Sequence, residues 1–122
     1  MGFPFSEILL IADCDGTLLR GDKTISPADL AAVGEFRRAG GKFTLATGRS
    51  LPTVGKILAQ VEPELPGILY NGSMIYDPVG KRPLWMEEIP REARFAVARA
   101  MAAYGPELGV EVLTPEALHV LA

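Results

Sequence analysis

The stretch "LLIADCDGTLL" (residues 9–19) joins an apolar run to two aspartates, Asp13 and Asp15, that are separated by a single residue. A continuous apolar run of this kind predicts a strand covered on both faces. Gly16 and Thr17 follow at once and predict a turn. The two carboxylates therefore come at the end of a strand, where they repel each other unless a cation neutralises them.

Strand and helix patterns alternate over the first seventy residues. A helix is predicted to begin at Pro27, because Ser26 is a good N-cap and Asp29 falls in the first turn. The predicted elements are, in order, a strand over Ile8–Ala12, this helix up to Gly40 and Gly41, a strand over "KFTLAT" (42–47), a helix with Val54, Ile57, Leu58 and Val61 on one face, and a strand over "GILY" (67–70). Such alternation with short connections predicts an α/β fold with parallel strands.

The pattern changes after Tyr70. The segment "NGSMIYD" begins with an Asn-Gly turn and alternates, and "PVGKRPLWM" is typical of the returning arm of a hairpin. An Ala-rich third helix stopped by Gly105 and a short strand over "GVEVL" follow. The last segment, 114–122, fits a helix or a strand equally well. We predict a boundary that divides residues 1–81 from residues 82–122.

Composition excludes several classes of partner. The 122 residues carry a net charge of −3 and no run of Lys or Arg, so the electrostatic footprint of a nucleic-acid-binding protein is absent. No apolar run is long enough to span a bilayer, and we expect no membrane partner. The single cysteine, Cys14, allows no internal disulfide and favours a cytoplasmic location. Gly2 with Ser6 matches the loose N-myristoylation pattern, which short sequences often meet by chance.

Polar residues follow each of the three predicted parallel strands. Asp13 and Asp15 follow the first, Thr47 and Gly48 belong to "TGRS" after the second, and Asn71 belongs to "YNGS" after the third. Ligands of open α/β sheets bind beyond the carboxyl ends of the strands, so these residues are expected on one rim. Turn and cap chemistry alone would also explain Thr47 and Gly48. Two close acids need a cation, and hard carboxylate oxygens with room for water and phosphate indicate Mg²⁺.

Three motifs resemble those of a known family. The segment "DCDGTLL" resembles the DxDGT motif of the haloacid dehalogenase (HAD) superfamily of phosphatases, and "FTLATGRS" resembles its second motif. "ILYNGSMIYD" resembles a stretch of the Cof-type subgroup, which carries an inserted α/β cap. The resemblance implies an α/β fold in which residues 1–81 form the first three strands of a HAD-like Rossmannoid parallel sheet. Residues 82–122 would begin the cap domain.

The resemblance implies a cytoplasmic, Mg²⁺-dependent phosphomonoester hydrolase that acts on a small phosphorylated metabolite such as a sugar phosphate. Asp13 would be the nucleophile that forms an aspartyl-phosphate, and Asp15 would protonate the leaving oxygen and then activate water. Gly16 would let the backbone turn closely around the phosphate, and Thr17 would support that turn. Mg²⁺ would be held by an oxygen of Asp13 and the carbonyl of Asp15.

The other expected site residues bind phosphate or substrate. Thr47 would donate a hydrogen bond to a phosphate oxygen, together with Gly48 in the same loop and backbone N–H groups at the start of the second helix. Arg49 would contact the substrate, and Asn71 would shape its loop. Cys14 points away from both acids in an alternating strand and is predicted to be a small buried apolar residue.

The sequence also departs from the family. A lysine that neutralises the aspartate–phosphate pair and an acidic loop that completes the Mg²⁺ shell have no counterpart here, so the chain resembles only the N-terminal half and is expected to be inactive or crippled alone. The first strand is central in the family, and its edge would be unpaired here. We therefore expect self-association, or pairing with a missing C-terminal half, through residues 8–12. The alternative function is a non-catalytic fragment or binding module that pairs with a partner chain.

Overall fold

The computed structural model describes residues 4–121. Gly2, which with Ser6 matches the N-myristoylation pattern, lies outside the described residues. The helices are α1 (Pro27–Arg38), α2 (Leu51–Val61) and α3 (Ala93–Tyr104). The strands are β1 (Leu9–Ala12), β2 (Lys42–Leu45), β3 (Gly67–Leu69), β4 (Met74–Asp77), β5 (Arg82–Met86), β6 (Val110–Leu113) and β7 (Leu118–Leu121). No described helix has the length and apolar character that crossing a membrane requires.

The first three strands run parallel, as the alternation of strands and helices predicts. β1 pairs with β2 from Leu9 opposite Lys42 to Ala12 opposite Leu45. A parallel bridge between Ala46 and Ile68 joins the end of β2 to β3. The α/β fold class is therefore confirmed, and the carboxyl ends of β1, β2 and β3 lie side by side.

Helix α1 begins as its capping residues predict. Ser26 is the N-cap, its hydroxyl oxygen accepts a hydrogen bond from the backbone N–H of Asp29 at 3.0 Å, and Pro27 is the first helical residue. The Ser26 hydroxyl also donates to the Asp29 carboxylate at 2.6 Å. Gly40 follows the helix with a φ of +95°, a left-handed conformation that glycine adopts without steric cost.

The core lies between α2 and the strands. The predicted apolar face of α2 buries Val54, Ile57 and Val61, while Leu58 is partly buried against the same cluster. Leu45 of β2, Leu69 of β3 and Met74 of β4 are the largest fully buried side chains of that cluster. One apolar stripe of α2 thus packs against the side chains of the strands.

Strand β1 forms as predicted, but its expected burial on both faces is wrong. Leu9, Leu10 and Ile11 are 52%, 45% and 46% exposed. Among the described residues β1 pairs only with β2, so its second edge is free and its side chains lack neighbours there. The free apolar edge agrees with the expectation drawn from the family's strand order.

The remaining strands are antiparallel. β4 pairs with β3 on one side and with β5 on the other, with an irregular register between Ile75 and Tyr76. Helix α3 follows, and β6 and β7 form a separate hairpin. The last segment of the chain, which fitted helix and strand equally well, is thus a strand over Leu118–Leu121. The boundary between residues 81 and 82 stays a prediction.

Arg37, in the last turn of α1, holds the end of α2. Its guanidinium donates to the backbone carbonyls of Val61 at 3.0 Å and Glu62 at 3.1 Å, and it pairs with the Glu64 carboxylate at 3.2 Å. The last carbonyls of a helix lack intrahelical partners and carry partial negative charge, so a guanidinium there stabilises the helix end.

Replacing Arg37 with alanine should therefore lower the free energy of unfolding by about 1–2 kcal/mol, because two helix-end carbonyls lose their donor. Urea denaturation followed by circular dichroism measures the change. Arg38→Ala is the matched control, since Arg38 is the exposed neighbour on the same helix and should change stability by less than about 0.5 kcal/mol. Equal losses in the two variants would contradict this role for Arg37.

Candidate active site

Three loops meet beyond the carboxyl ends of the parallel strands: residues 13–17 after β1, 47–50 after β2 and 70–72 after β3. Two backbone hydrogen bonds tie the second loop to the third. The N–H of Tyr70 donates to the carbonyl of Arg49 at 3.1 Å, and the N–H of Asn71 donates to the carbonyl of Thr47 at 3.2 Å. These bonds fix the spacing of the two loops.

An open cleft of about 250 Å³ lies between the three loops. Four of the eight predicted site residues line it, namely Asp13, Thr47, Gly48 and Asn71. The other four, Asp15, Gly16, Thr17 and Arg49, lie in the same loops without lining the cleft. Ala46, Ile68 and Gly72 complete the lining and were not predicted. Gly72 belongs to the quoted "YNGS" turn, so the motif itself could have indicated it.

Asp13 presents an exposed carboxylate to this cleft. Its contact with Thr17 is long, with the Thr17 hydroxyl donating to Oδ2 at 3.5 Å. No described Lys, Arg or His lies within ion-pair distance of Asp13. The carboxylate is thus free to approach an electrophile or a cation that enters the cleft.

Asp15 differs from Asp13 because two cations neutralise it. Arg49 donates to both of its oxygens, from Nε at 2.8 Å and from Nη2 at 2.9 Å, and Lys23 donates from Nζ at 3.0 Å. The hydrogen bonds from Arg49, and then that from Lys23, hold the pKa of the Asp15 carboxyl well below its usual range. In this arrangement Asp15 is a carboxylate and can accept a proton, but it has none to give.

Arg49 and Lys23 reach Asp15 from different parts of the chain. Arg49 also donates from Nη1 to the carbonyl of Thr53 at 3.2 Å, which anchors its guanidinium on the first turn of α2. The hydrogen bonds to Asp15 raise the pKa of Arg49. Lys23 was not among the predicted site residues. It lies in the polar "RGDKTI" turn, and nothing in the local pattern indicates that this turn folds back onto Asp15.

Thr47 is buried, and its hydroxyl oxygen accepts a hydrogen bond from the backbone N–H of Arg49 at 3.1 Å. The Thr47 hydroxyl also shares a hydrogen bond with Cys14, so its one proton becomes available to a group in the cleft only when that bond opens. The predicted support from backbone N–H groups at the start of α2 is wrong. The N–H of Leu51 donates to the Tyr70 hydroxyl at 2.9 Å, Pro52 has no N–H, and the N–H of Thr53 donates to the carbonyl of Ser50.

Gly48 and Asn71 both line the cleft and lie against each other. A Cβ added to Gly48 would lie 2.6 Å from Oδ1 of Asn71, so only glycine allows this approach. Asn71 has a φ of +54°, a left-handed conformation that asparagine tolerates better than most residues. The predicted loop-shaping role of Asn71 therefore has a structural basis in its contact with Gly48.

Cys14 is fully buried and points into the core, as the alternation predicts. Burial is the largest influence on the thiol, and it raises the pKa of Cys14, although a hydrogen bond with Thr47 opposes the shift. A buried thiol with a raised pKa is a poor nucleophile. Cys14 is therefore a packing residue, as the sequence indicates.

The carboxylates do not form a ready-made metal cage. Within residues 4–121 no three His, Cys, Asp or Glu side chains come together in a geometry suited to a metal ion. Asp13 supplies one free carboxylate, and the carboxylate of Asp15 is engaged by Arg49 and Lys23. Any divalent cation here would take most of its ligands from water, backbone carbonyls and the bound phosphate.

Comparison with known proteins agrees with this geometry. A family model described as haloacid dehalogenase-like hydrolase matches residues 10–116. A Mycoplasma pneumoniae protein is 33% identical over 92 residues, which is 75% of this chain and 33% of that protein. Pyridoxal phosphate phosphatase YbhA of Escherichia coli is 30% identical over 82 residues, which is 67% of this chain and 30% of that enzyme. The chain thus spans about a third of the length of these relatives.

A solved structure shares the fold. The crystal structure of a haloacid dehalogenase-like hydrolase from Bacteroides thetaiotaomicron superposes with a TM-score of 0.78 at 20% identity. The match covers 93% of this chain and 43% of that chain.

The Gly48–Asn71 contact gives a prediction that can be tested without an enzyme assay. Gly48→Ala should push the Asn71 side chain away from the cleft, because the new methyl would overlap Oδ1. Asn71 is the only asparagine and Gln60 the only glutamine of the chain, so the side-chain amide signals in a ¹⁵N NMR spectrum report on each separately. The Asn71 signals should shift while those of Gln60 stay in place.

Gly55→Ala is the matched control, since a Cβ at Gly55 meets nothing within 4 Å. That variant should leave the Asn71 signals unmoved. If the Asn71 signals also stay unmoved in Gly48→Ala, the Asn71 side chain does not lie against Gly48 as the structure has it.

Proposed function

Since this chain belongs to the haloacid dehalogenase-like hydrolases, we propose that it carries the nucleophile and the phosphate-binding loops of a phosphomonoester hydrolase. The resemblance to the Cof-type phosphatases rests on the same three motifs, and the family match runs through all of them. Because the chain spans about a third of its curated relatives, the activity of this chain alone is itself part of the proposal.

One observation carries the proposal. Asp13 is an exposed carboxylate without a cation partner among the described residues, and it lines a cleft that Thr47 also lines. Two carboxylates one residue apart would otherwise be expected to share a proton or a cation equally. The unequal pairing leaves Asp13 accessible and without a cation partner among the described residues, and a nucleophile needs such an accessible carboxylate.

The proposed reaction has two steps. An oxygen of Asp13 attacks phosphorus, the bond between phosphorus and the leaving oxygen breaks, and an aspartyl-phosphate forms. Water then attacks phosphorus, releases inorganic phosphate and regenerates the Asp13 carboxylate. Thr47 donates a hydrogen bond to a phosphate oxygen, while Gly16 and Gly48 leave room for the phosphate beside the backbone.

The ion pairs of Asp15 with Arg49 and Lys23 determine when Asp15 can transfer a proton in this reaction. In the second step its carboxylate would accept the proton of the attacking water, and because Arg49 and Lys23 lower its pKa, it becomes an effective base only when those contacts open. To protonate the leaving oxygen in the first step, it must first gain a proton, so its contacts with Arg49 and Lys23 must open. Phosphate oxygens compete for guanidinium and ammonium groups as well as carboxylates do, and an arriving substrate would thereby loosen the pairing.

The residues present fit a magnesium ion. The free Asp13 carboxylate and the backbone carbonyl of Asp15 are hard oxygen donors in a loop that opens on the cleft, and magnesium binds through one or two carboxylates plus substrate phosphate. When bound, Mg²⁺ would offset the negative charge of the phosphate beside Asp13. Holding the ion would then be a second task of the Asp13 carboxylate, since Asp15 would contribute its backbone carbonyl and keep its carboxylate for proton transfer.

We propose a small phosphorylated metabolite as the substrate. One curated relative is named for pyridoxal phosphate, which is such a molecule, and a sugar phosphate belongs to the same class. The open cleft of about 250 Å³ would take the phosphoryl group of either molecule. We also propose a cytoplasmic location, on the single free cysteine.

A second candidate function is phosphate binding without turnover. The observation that favours it is the pairing of Asp15 with Arg49 and Lys23, which removes the proton donor from the first step. Phosphate would then be held by Thr47 and by cations of the rim, and the chain would act as a binding module that pairs with a partner chain.

Hydrolysis of p-nitrophenyl phosphate with Mg²⁺ distinguishes the two functions. An enzyme should lose at least about a hundredfold in kcat/KM on Asp13→Asn, because the nucleophile is removed. Asp22→Asn is the matched control, since Asp22 is an exposed aspartate that bonds to Thr24 outside the cleft, and it should keep the rate. Equal rates in the wild-type chain and Asp13→Asn would leave phosphate binding as the function.

The proposal includes an interaction at the free edge of β1. An unpaired edge with apolar side chains on both faces favours addition of another strand. When the chain is alone, a second copy is the proposed occupant, because antiparallel pairing of β1 with β1 about a two-fold axis would satisfy both free edges at once. A strand from another part of a longer polypeptide would compete for the same edge.

Sedimentation equilibrium tests this edge. The wild-type chain should form a concentration-dependent dimer, and Leu10→Lys should shift it towards monomer because the lysine places charge on the pairing strand. Val79→Lys, at an apolar side chain that is 69% exposed elsewhere, should leave the dimer intact. A wild-type chain that stays monomeric at high concentration would exclude pairing through β1.

A further inference from the structure

Tyr70 joins three separate parts of the molecule. Its backbone N–H donates to the carbonyl of Arg49 in the loop after β2. Its hydroxyl accepts a hydrogen bond from the N–H of Leu51, the first residue of α2, at 2.9 Å. The same hydroxyl donates to the carbonyl of Thr114, between β6 and β7, at 2.8 Å. One side chain therefore connects the loops of the cleft to a hairpin more than forty positions away in the sequence.

The backbone at Tyr70 is strained. Tyr70 has a φ of +52°, and Asn71 and Gly72 follow at +54° and +99°. Glycine and asparagine adopt positive φ at little cost, but a bulky side chain seldom does. Such strain persists only where surrounding contacts hold it. The two hydrogen bonds of the hydroxyl and the one of the backbone N–H are contacts of this kind.

The turn that receives the Tyr70 hydroxyl is itself well ordered by hydrogen bonds. The N–H of Thr114 donates to the carbonyl of Ala117 at 2.9 Å. The Thr114 hydroxyl donates to the same carbonyl at 3.1 Å and accepts from the N–H of Ala117 at 3.1 Å. The Thr114 carbonyl is therefore presented by a closed turn, and a bond to it fixes the hairpin rather than a loose segment.

We propose that Tyr70 is a positioning residue whose hydroxyl holds the β6–β7 hairpin at a fixed place beside the phosphate-binding loops. The inference rests on the proposed function in one respect, namely that the loops around residues 47 and 71 bind phosphate. Tyr70 does not line the cleft. Its role is to set how far the hairpin lies from the cleft, and so how much room the organic part of a phosphorylated substrate has.

Tyr70→Phe tests the proposal, because it removes only the hydroxyl. Hydrogen–deuterium exchange of the backbone amides is the first readout. Amides of β6, β7 and the turn between them should exchange about three- to tenfold faster, as expected for the loss of the partly buried hydrogen bond to Thr114. Exchange in β1 and β2 should stay unchanged. Tyr76→Phe is the matched control, since no hydrogen bond of the Tyr76 hydroxyl occurs among residues 4–121, and it should leave the hairpin as in the wild type.

A second variant separates this role from a loss of folding. Thr114→Ala loosens the turn from the hairpin side and leaves the Tyr70 hydroxyl in place. If the two residues act through one link, the double variant should release the hairpin no more than the stronger single variant does. Additive effects, or hairpin exchange in Tyr70→Phe that equals the wild type, would overturn the proposal. So would faster exchange throughout β1 and β2.

The functional readout is a comparison of two substrates. For p-nitrophenyl phosphate, whose organic part is smaller, Tyr70→Phe should change KM less than it does for a larger substrate. For pyridoxal 5′-phosphate, whose organic part is larger and more polar, KM should change about threefold or more while kcat stays within twofold. Equal changes for both substrates would overturn the positioning role. If the wild-type chain hydrolyses neither, the proposed function fails, and the exchange experiment still decides on Tyr70.

Discussion

The site depends on the unequal neutralisation of two carboxylates that lie one residue apart. Arg49 donates hydrogen bonds to both oxygens of the Asp15 carboxylate, and Lys23 donates to one of them. Asp13 has no such partner among the described residues and faces the open cleft. The cations paired with Asp15 therefore relieve the repulsion between the two carboxylates, and they leave Asp13 unpaired among the described residues. One remains available for attack on phosphorus, and the other stays ionised until its cations are drawn away.

The fold supports this division through the ends of three parallel strands. Each strand delivers one loop to the same rim, and backbone hydrogen bonds from Tyr70 and Asn71 tie the third loop to the second. Gly48 allows Asn71 to approach closely. Arg49 comes from the second loop, so the pairing with Asp15 also joins the second loop to the first. Electrostatics and backbone geometry thus depend on the same three strand ends.

Local signals predicted much of this arrangement. Ser26 and Asp29 indicated where α1 begins, and the strand-end positions of Asp13, Thr47 and Asn71 indicated that they would meet, because parallel strands align their carboxyl ends. Contacts between distant residues could not be read in this way. Lys23 lies in a turn with no local sign of its partner.

Two features of the structure differ from what the local sequence patterns predict, and both differ for the same reason. The apolar run of β1 is typical of a strand with neighbours on both edges, and whether a second neighbour is present depends on chain elsewhere. The N–H of Leu51 looked available for phosphate, but a tyrosine hydroxyl from another loop uses it. A local residue pattern indicates that a segment requires a neighbouring strand or a hydrogen-bond partner. Which residue of the chain fills that place depends on tertiary contacts.

The most direct test of the account is ¹⁹F NMR with beryllium fluoride and Mg²⁺, since beryllium fluoride mimics a phosphoryl group bound to a carboxylate. The account predicts bound fluoride signals with the wild-type chain that require Mg²⁺ and disappear in Asp13→Asn. Bound signals that persist in Asp13→Asn, or that never form with the wild-type chain, would contradict the assignment of Asp13 as the carboxylate that takes the phosphoryl group.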